Sequence, residues 1–384
     1  MIFKTHKITF NIFFIFLLLN FYMIEINLFG LQLRDIFFAL TILFPIIFDF
    51  KFFQNKLILW RHGLISSILI FFLFFYSYII KGNNISEIVF FIKPILILFL
   101  IPSVSYLIYK GYLSKLSKSI VFLSYGLIGY YILVILIFFY RPSLAFDISE
   151  RIDLFYITFD SFFPRVVFKN FVFVLIPICF SLFFNKKKFL LNTIIIVIIV
   201  STSTFGILIG LIGIYLFYFI YKRNFKLLTV LFFAVITSTI YSASIFSYEK
   251  LNSIGYKLSQ LISFTDSISA TSFLFGGGIG SKLPKLDNRY FSENIIEVSP
   301  VMLFLVGGII GSLFYLFIYT KPLSKLSYIF FKNKINRLSN HYLFFSSIQL
   351  GIIFSSISNP YIWSGGVGLL MIIFIESLKI HEWK

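Results

Sequence analysis

The sequence predicts an all-α polytopic membrane protein with about twelve transmembrane helices. Three observations predict it. Of the 384 residues, 59% are hydrophobic and only 12% charged, whereas soluble domains run about half apolar and roughly a quarter charged. The mean hydropathy is +0.97. Lys and Arg also cluster in alternate connections between the apolar runs. This composition excludes an ordinary soluble enzyme, and equally a disordered chain, which would be rich in charge and poor in aromatics. The 56 Phe, with abundant Ile and Lys, read as codon bias of an AT-rich genome and carry little about function.

Apolar runs of about the 20 residues a membrane helix needs fall at about 8–25, 31–50, 63–80, 87–109, 119–140 and 166–184. A second set lies at about 189–203, 205–221, 227–246, 299–320, 341–358 and 362–378. The first run follows Lys7, and no small-residue cleavage site comes after it, so it reads as an uncleaved helix. The pair at 189–221 is broken by Ser201-Thr-Ser-Thr-Phe-Gly206, which fits two short helices meeting at a tight turn. With no internal repeat and no soluble portion to split off, residues 1–384 read as one integral membrane domain.

Orientation follows from the basic residues, because loops rich in Lys and Arg stay cytoplasmic. Lys4, Lys7, Lys51, Lys56, Arg61, Lys110, Lys115, Lys118, Lys186, Lys187, Lys188, Lys222, Arg223 and Lys226 fall on one side. Lys321, Lys325, Lys332, Lys334, Arg337, Lys379 and Lys384 join them, against only Asp49, Glu376 and Glu382. Both termini are therefore expected to be cytoplasmic. The opposite side balances its charges, so the whole net charge of +18 lies on the cytoplasmic face. A nucleic-acid partner is excluded on that ground: the basicity is topology, reinforced by anionic lipid of the inner leaflet. Two outside connections, 141–165 and 247–298, are unusually long and hold most of the acidic residues. Long connections in an otherwise minimal chain usually carry function.

The four histidines (His6, His62, His341 and His381) fall on cytoplasmic segments or helix ends, and the single Cys179 lies in an apolar run, where it reads as a small core residue. No imidazole or thiol is thus expected outside for a metal, and no metal or cofactor is expected. Gly276-Gly-Gly-Ile-Gly280-Ser-Lys282 resembles a phosphate loop only superficially, lacking its spacing, and reads as a flexible turn entering a loop. What remains is cationic and acidic. Arg165 and Lys169, four apart where the sixth span is expected to begin, would share one helix face about 6 Å apart and could hold a pyrophosphate. Headgroup snorkelling is their bland alternative. Lys93 lies roughly 9 Å inside the fourth span, where a cation is costly and usually faces a polar cavity. Arg34 is a further binding candidate, with a local ion pair to Asp35 as the plainer reading. In the second long loop Arg289 is flanked by Asp287, Glu293 and Glu297. Arg141 and Arg151, beside Asp147, Glu150 and Asp153, read as solvated loop charges.

At this point the pattern resembles the bacterial O-antigen polymerases of the Wzy type, within the O-antigen ligase and polymerase superfamily. The likeness of architecture spans the chain: about twelve helices, cytoplasmic ends and two large periplasmic loops. Locally, Phe163-Pro-Arg165 through Asn170 resembles the arginine leading into a helix after the first loop. Ser201 to Gly206 resembles a polar turn between two short helices, without the arginine often seen there. Phe275 to Ser281 resembles the glycine turn inside the second loop. Glu293-Asn294 and Glu297-Val-Ser, followed by Gly307-Gly-Ile-Ile-Gly311, resemble the acidic approach to the helix that closes it. The Arg-x10-Gly repeats proposed for some polymerases have no match. The ligase branch carries a histidine in the large loop. The comparable Asp287 to Asn294 stretch has none, which favours polymerase over ligase.

The resemblance implies a glycosyltransferase of the bacterial inner membrane acting in lipopolysaccharide biosynthesis. Its substrate would be undecaprenyl-pyrophosphate-linked oligosaccharide, with a chain-length regulator, a flippase and membrane lipid as further partners. A hydroxyl of one repeat would attack the anomeric carbon of a growing chain and release polyprenyl pyrophosphate. Arg165 and Arg289 would stabilise the leaving group without metal, with Lys169, Lys93, Arg34 and Asp287 as binding residues. Glu293, Glu297 or Asp287 would take the proton. The alternatives are an O-antigen ligase or capsule polymerase of the same superfamily, and a lipid-linked oligosaccharide flippase or other transporter. Transporters usually keep outside loops short and show repeat symmetry.

Overall fold

A computed structural model describes residues 27–28, 31–50, 57–152, 155–159, 164–168, 171–185, 205–224, 248–281, 301–313 and 340–356, with Asn11, Asn192 and Lys226. The described chain is predominantly helical. A short hairpin of β1 (Asn27–Leu28) and β2 (Leu31–Gln32) leads into α1 (Leu33–Phe48). Helix α2 (Leu57–Phe75) ends in a π-helical turn, Tyr76–Ile80. Then follow α3 (Ile85–Leu96), a 3-10 turn (Ile97–Leu100), α4 (Ile101–Tyr109) and α5 (Leu113–Tyr140). Helix α6 (Pro142–Ile152) precedes an antiparallel hairpin of β3 (Phe155–Phe159) and β4 (Pro164–Phe168). A 3-10 turn (Phe171–Leu175) opens α7 (Ile176–Phe183), and α8 covers Phe205–Tyr221. The remaining helices are α9 (Tyr248–Ser267), α10 (Ala270–Phe275), α11 (Val301–Leu313) and α12 (Asn340–Ser355).

Among the described residues one helix, α5, is long and apolar enough to cross a membrane, with 28 residues. By helix rise it extends about 42 Å. Several other expected spans are interrupted, and the interruptions have chemical causes. The run at 87–109 contains Pro94 and Pro102 and breaks into α3, the 3-10 turn and α4, because proline removes a donor and clashes with the preceding turn. The run at 63–80 finishes in the π-helical turn. The run expected at 166–184 starts as strand and then 3-10 turn, with α7 opening at Ile176 and Pro177 in its first turn. The expected runs at 227–246 and 362–378 lie outside the described residues, and those at 8–25 and 189–203 do so apart from Asn11 and Asn192.

Two apolar clusters hold the helices together. The larger joins α4, α5, α7, α8 and α12 through Leu107, Leu116, Tyr131, Cys179, Ile207 and Phe344. Cys179 is a fully buried free thiol within it. The smaller joins α3, α9, α11 and the glycine turn through Ile88, Ile92, Phe264, Ile279, Met302, Leu305 and Val306.

Relative helix directions follow from side-chain contacts. Ser103 Oγ donates to Thr41 O at 2.8 Å, while Tyr106 and Lys110 reach Asp49 at 3.2 and 2.9 Å, so α1 and α4 run parallel. Phe183 meets Phe217, Tyr218 and Tyr221, so α7 and α8 finish at the same end. Gly210 faces Ser355 and Gly213 faces Phe354, whereas Ile214 meets Gly351, which makes α8 and α12 antiparallel.

Burial is partly inverted relative to a soluble protein. Phe71, Phe72 and Ile80 at the end of α2, and Ile132, Leu136 and Phe139 on α5, are exposed. Ser103, Ser117, Ser124, Ser346, Ser347 and Ser355 are buried. The serine hydroxyls of 117, 124 and 346 bond the carbonyls of Leu113, Ile120 and Tyr342 one helical turn earlier. Each is thereby satisfied without water.

Candidate functional site

A polar junction lies where the end of α2 meets the glycine turn. The π-helical turn is closed by the amide of Lys81 donating to Tyr76 O at 3.1 Å. Gly82, at φ 67°, then turns the chain out of the helix, a conformation that costs glycine nothing. The next residues divide the work. Asn84 caps α3, its Oδ1 accepting from the amide of Ser86 at 3.0 Å and its carbonyl from Glu87 and Ile88. Asn83 points the other way and donates through Nδ2 to the carbonyls of Gly277 and Ile279, both at 2.9 Å. Ser77 Oγ donates to Leu73 O at 2.6 Å and accepts the amide of Ile279 at 2.8 Å. Tyr76 adds its hydroxyl to Gly276 O at 3.0 Å.

The glycine turn reaches this anchor from α10. Gly276, Gly278 and Gly280 have φ of 76°, 82° and 81°, which L side chains rarely adopt. The amides of Gly277 and Gly278 donate to Leu305 O and Val306 O of α11 at 2.7 and 3.0 Å. Helix α11 accommodates this with its own left-handed glycine, Gly308, at φ 59°. Ile279 is completely buried between α3 and α11. The turn is therefore pinned on three sides, and the flexible turn expected from its glycines is corrected. Nor is it a phosphate cradle: the amides of Gly277, Gly278 and Ile279 already have partners.

The predicted site residues distribute unevenly around this junction. Lys93 lies on α3, whose Ile88 and Ile92 pack with Ile279 of the turn. Arg34 is the second residue of α1. Arg165 is on β4, paired in register with Thr158, so it does not begin a helix. The shared helix face proposed for Arg165 and Lys169 is thus corrected, because an i, i+4 pair requires both residues in one helix. The cause is local: Phe155–Phe159 and Pro164–Phe168 are rich in aromatic and β-branched residues, which favour a pleated pair. Lys169, Asp287, Arg289, Glu293 and Glu297 lie outside the described residues.

Two long connections thus carry structure of their own. The first holds α6 and the β3–β4 hairpin, with Phe146 stacked edge-on against Phe138 of α5. The second holds α9, α10 and the glycine turn, with Phe264 and Phe273 edge-on against Phe304 of α11. Sequence reasoning missed Ser77 and Asn83, which hold the junction. Their signal was available as polar residues at the end of an apolar run, followed by a Gly-Asn-Asn turn. Among the described residues no cluster of three or more His, Cys, Asp or Glu is placed to hold a metal ion. No protein-family model, no curated protein and no solved structure matches the chain.

Proposed function

We propose that this protein is a polytopic inner-membrane glycosyltransferase that joins polyprenyl-pyrophosphate-linked oligosaccharide repeats, an O-antigen polymerase. The observation that carries the reading is the pinned junction at the base of the second long loop. It gathers the ends of α2 and α3, the glycine turn and α11 at one end of the helices. Such a platform gives large connecting segments a fixed base over a substrate whose lipid tail stays in the bilayer.

Membrane residence and sidedness have separate support. Exposed Phe, Leu and Ile on α2 and α5, with buried serines bonded within their own helices, suit a hydrocarbon surround. A chain alternating across the bilayer requires the second and fourth spans to be parallel, the sixth and eighth parallel, and the eleventh opposed to the eighth. The contacts of α1 with α4, α7 with α8 and α8 with α12 have those directions. Polar contacts also join ends that the charge rule assigns to one side. Lys110 bonds Asp49, and Ser117 bonds His341, on the basic side. Asn83 bonds Gly277 on the other. Lys115 and Lys118, with Ser114, Tyr112 and Phe122, line a groove at the basic end of α5, suited to anionic headgroups.

In the reaction, a sugar hydroxyl of one repeat attacks the anomeric carbon of the growing chain. The bond from that carbon to the pyrophosphate oxygen breaks, and polyprenyl pyrophosphate leaves. Glu293, Glu297 or Asp287 accepts the hydroxyl proton. Arg165 and Arg289 meet the charge that develops on the pyrophosphate, with Lys93, Lys169 and Arg34 as further cations for the donor. Lipopolysaccharide from a deletion strain tests the assignment. A ladder reduced to single repeats identifies a polymerase. Loss of all O-antigen on the lipid A core identifies a ligase or flippase and removes this assignment, as does an unchanged ladder.

A further inference from the structure

One face of α5 carries a pattern that the reaction does not use. Lys115, Lys118, Phe122, Gly126, Gly129 and Leu133 recur every three or four residues and are all exposed. At 3.6 residues per turn they fall on one narrow stripe of the helix. Leu116, Ser117, Ile120 and Ser124 turn the other way and are buried, with Ser117 Oγ 3.1 Å from His341 Nδ1 on α12. The stripe is charged at one end only. Lys115 and Lys118 line a groove of about 590 Å³ with Tyr112, Ser114, Ser119 and Phe122, and no acid is among its lining residues. Lys115 Nζ sits 5.9 Å from the Tyr112 ring centre and donates to Asn11 Oδ1 at 2.7 Å. Beyond the groove the face becomes apolar and then bare. Phe122 is 76% exposed, and a Cβ on Gly129 would meet nothing within 4 Å. By helix rise, Phe122 to Leu133 covers about 16 Å, close to half of the roughly 30 Å hydrocarbon core of a bilayer.

We propose that this stripe is a site for one anionic phospholipid, its phosphate in the Lys115–Lys118 groove and an acyl chain along Phe122, Gly126 and Gly129. The proposal rests on the membrane reading given above. It goes beyond that reading by assigning a discrete site in place of general attraction to the leaflet. Two ammonium groups one helical turn apart suit a phosphate, and the hydroxyls of Ser114 and Ser119 add uncharged donors at the same place. A soluble phosphate has the same head chemistry but leaves the apolar track unused, whereas a lipid gains at both ends. The lipid-linked oligosaccharide is a poorer fit, because its pyrophosphate is used on the face opposite the basic helix ends. General attraction would treat all cations of the basic face alike. Lys222 and Lys226, at and just beyond the end of α8, are exposed but do not line the groove.

The test is native mass spectrometry of the full chain in detergent micelles, titrated with dioleoyl phosphatidylglycerol, dioleoyl phosphatidylcholine or inorganic phosphate. Wild type is expected to hold one phosphatidylglycerol about tenfold or more tighter than phosphatidylcholine. Lys115→Ala with Lys118→Ala should abolish that preference. Lys222→Ala with Lys226→Ala removes the same charge and should keep it. Phe122→Ser should weaken phosphatidylglycerol by about threefold or more through the lost apolar contact. Asn11→Ala should bind as wild type, which separates the charge of Lys115 from its bond to Asn11. If the groove alanine pair does not accumulate, Lys115→Gln with Lys118→Gln is read in its place. Equal affinity for the two lipids, equal loss from the two lysine pairs, or unchanged binding in the groove variants overturns the proposal. So does inorganic phosphate that displaces phosphatidylglycerol at comparable concentration, which assigns the groove to a soluble anion. A chain that stays in solution without detergent sinks the membrane reading and this site with it, whereas a membrane-resident chain that fails the titration sinks this site alone.

Discussion

At Gly278 two constraints coincide. Its φ of 82° strains any L residue, and an added Cβ would press within 2.9 Å of Ser77 Oγ, whose hydroxyl is already committed to Leu73 O and the Ile279 amide. Gly278→Ala should therefore destabilise the folded protein by about 1–3 kcal/mol, more than Gly255→Ala, whose Cβ would meet nothing within 4 Å. Thermal unfolding of the two variants in detergent checks this; equal midpoints would contradict it. The arginines give the residue-scale test of chemistry. A guanidinium binds pyrophosphate in two places at once, which lysine does not reproduce. Arg165→Ala and Arg289→Ala are each expected to leave the protein in the membrane, cut the rate by about 10²-fold and collapse the ladder to single repeats. Arg165→Lys and Arg289→Lys should recover part of it, and Arg141→Ala, at an exposed position, should be milder. Normal ladders from both alanine variants at normal expression would remove these two residues from the site.

Helices α8 and α12 approach closely. A Cβ on Gly210 would run into Ser355 Oγ, Gly351 O and Leu175, while one on Gly351 would meet Ile214 at 2.8 Å. In the proposed membrane setting helices would gain little from apolar exclusion, and close backbone approach through small residues would supply the attraction. Gly210→Leu should separate the pair and cost about 1–3 kcal/mol through overpacking. Fluorescence-detected size-exclusion chromatography after graded heating reads this as a lowered midpoint, and an unshifted midpoint would show that the interface has slack. By contrast, the β3–β4 hairpin joins five residue pairs from Phe155↔Phe168 to Phe159↔Pro164. It keeps Arg165 in extended backbone, in register with Thr158.

For the whole molecule, the proposed topology is tested by sidedness. Reporter fusions at Lys187, Arg223 and Lys332 are expected to read cytoplasm, and fusions at Asp153 and Lys257 periplasm. A periplasmic Lys332 would remove the second long loop, and with it the proposed placement of the junction on the outer face. The described helices share two apolar clusters. The larger unites α4, α5, α7, α8 and α12, while the smaller gathers the elements that carry the glycine turn.

Composition was enough to read a helical chain, because hydrophobicity and its periodicity are properties of the residues themselves. Cys179 was likewise legible as core, since a lone thiol in an apolar run has little else to do. The candidate site was legible only as a set of residue types. That Pro164–Phe168 would pair as strand, although Arg165 and Lys169 are spaced as on a helix, depended on Phe155–Phe159 lying across from it. That the glycine turn would be fixed and not flexible depended on bonds joining residues about two hundred positions apart, such as Tyr76 to Gly276. Periodicity tells which faces avoid water, but not which amides and carbonyls already have partners. Those partners come from distant segments, so only the tertiary structure decided that Ser77 and Asn83 hold the glycine turn.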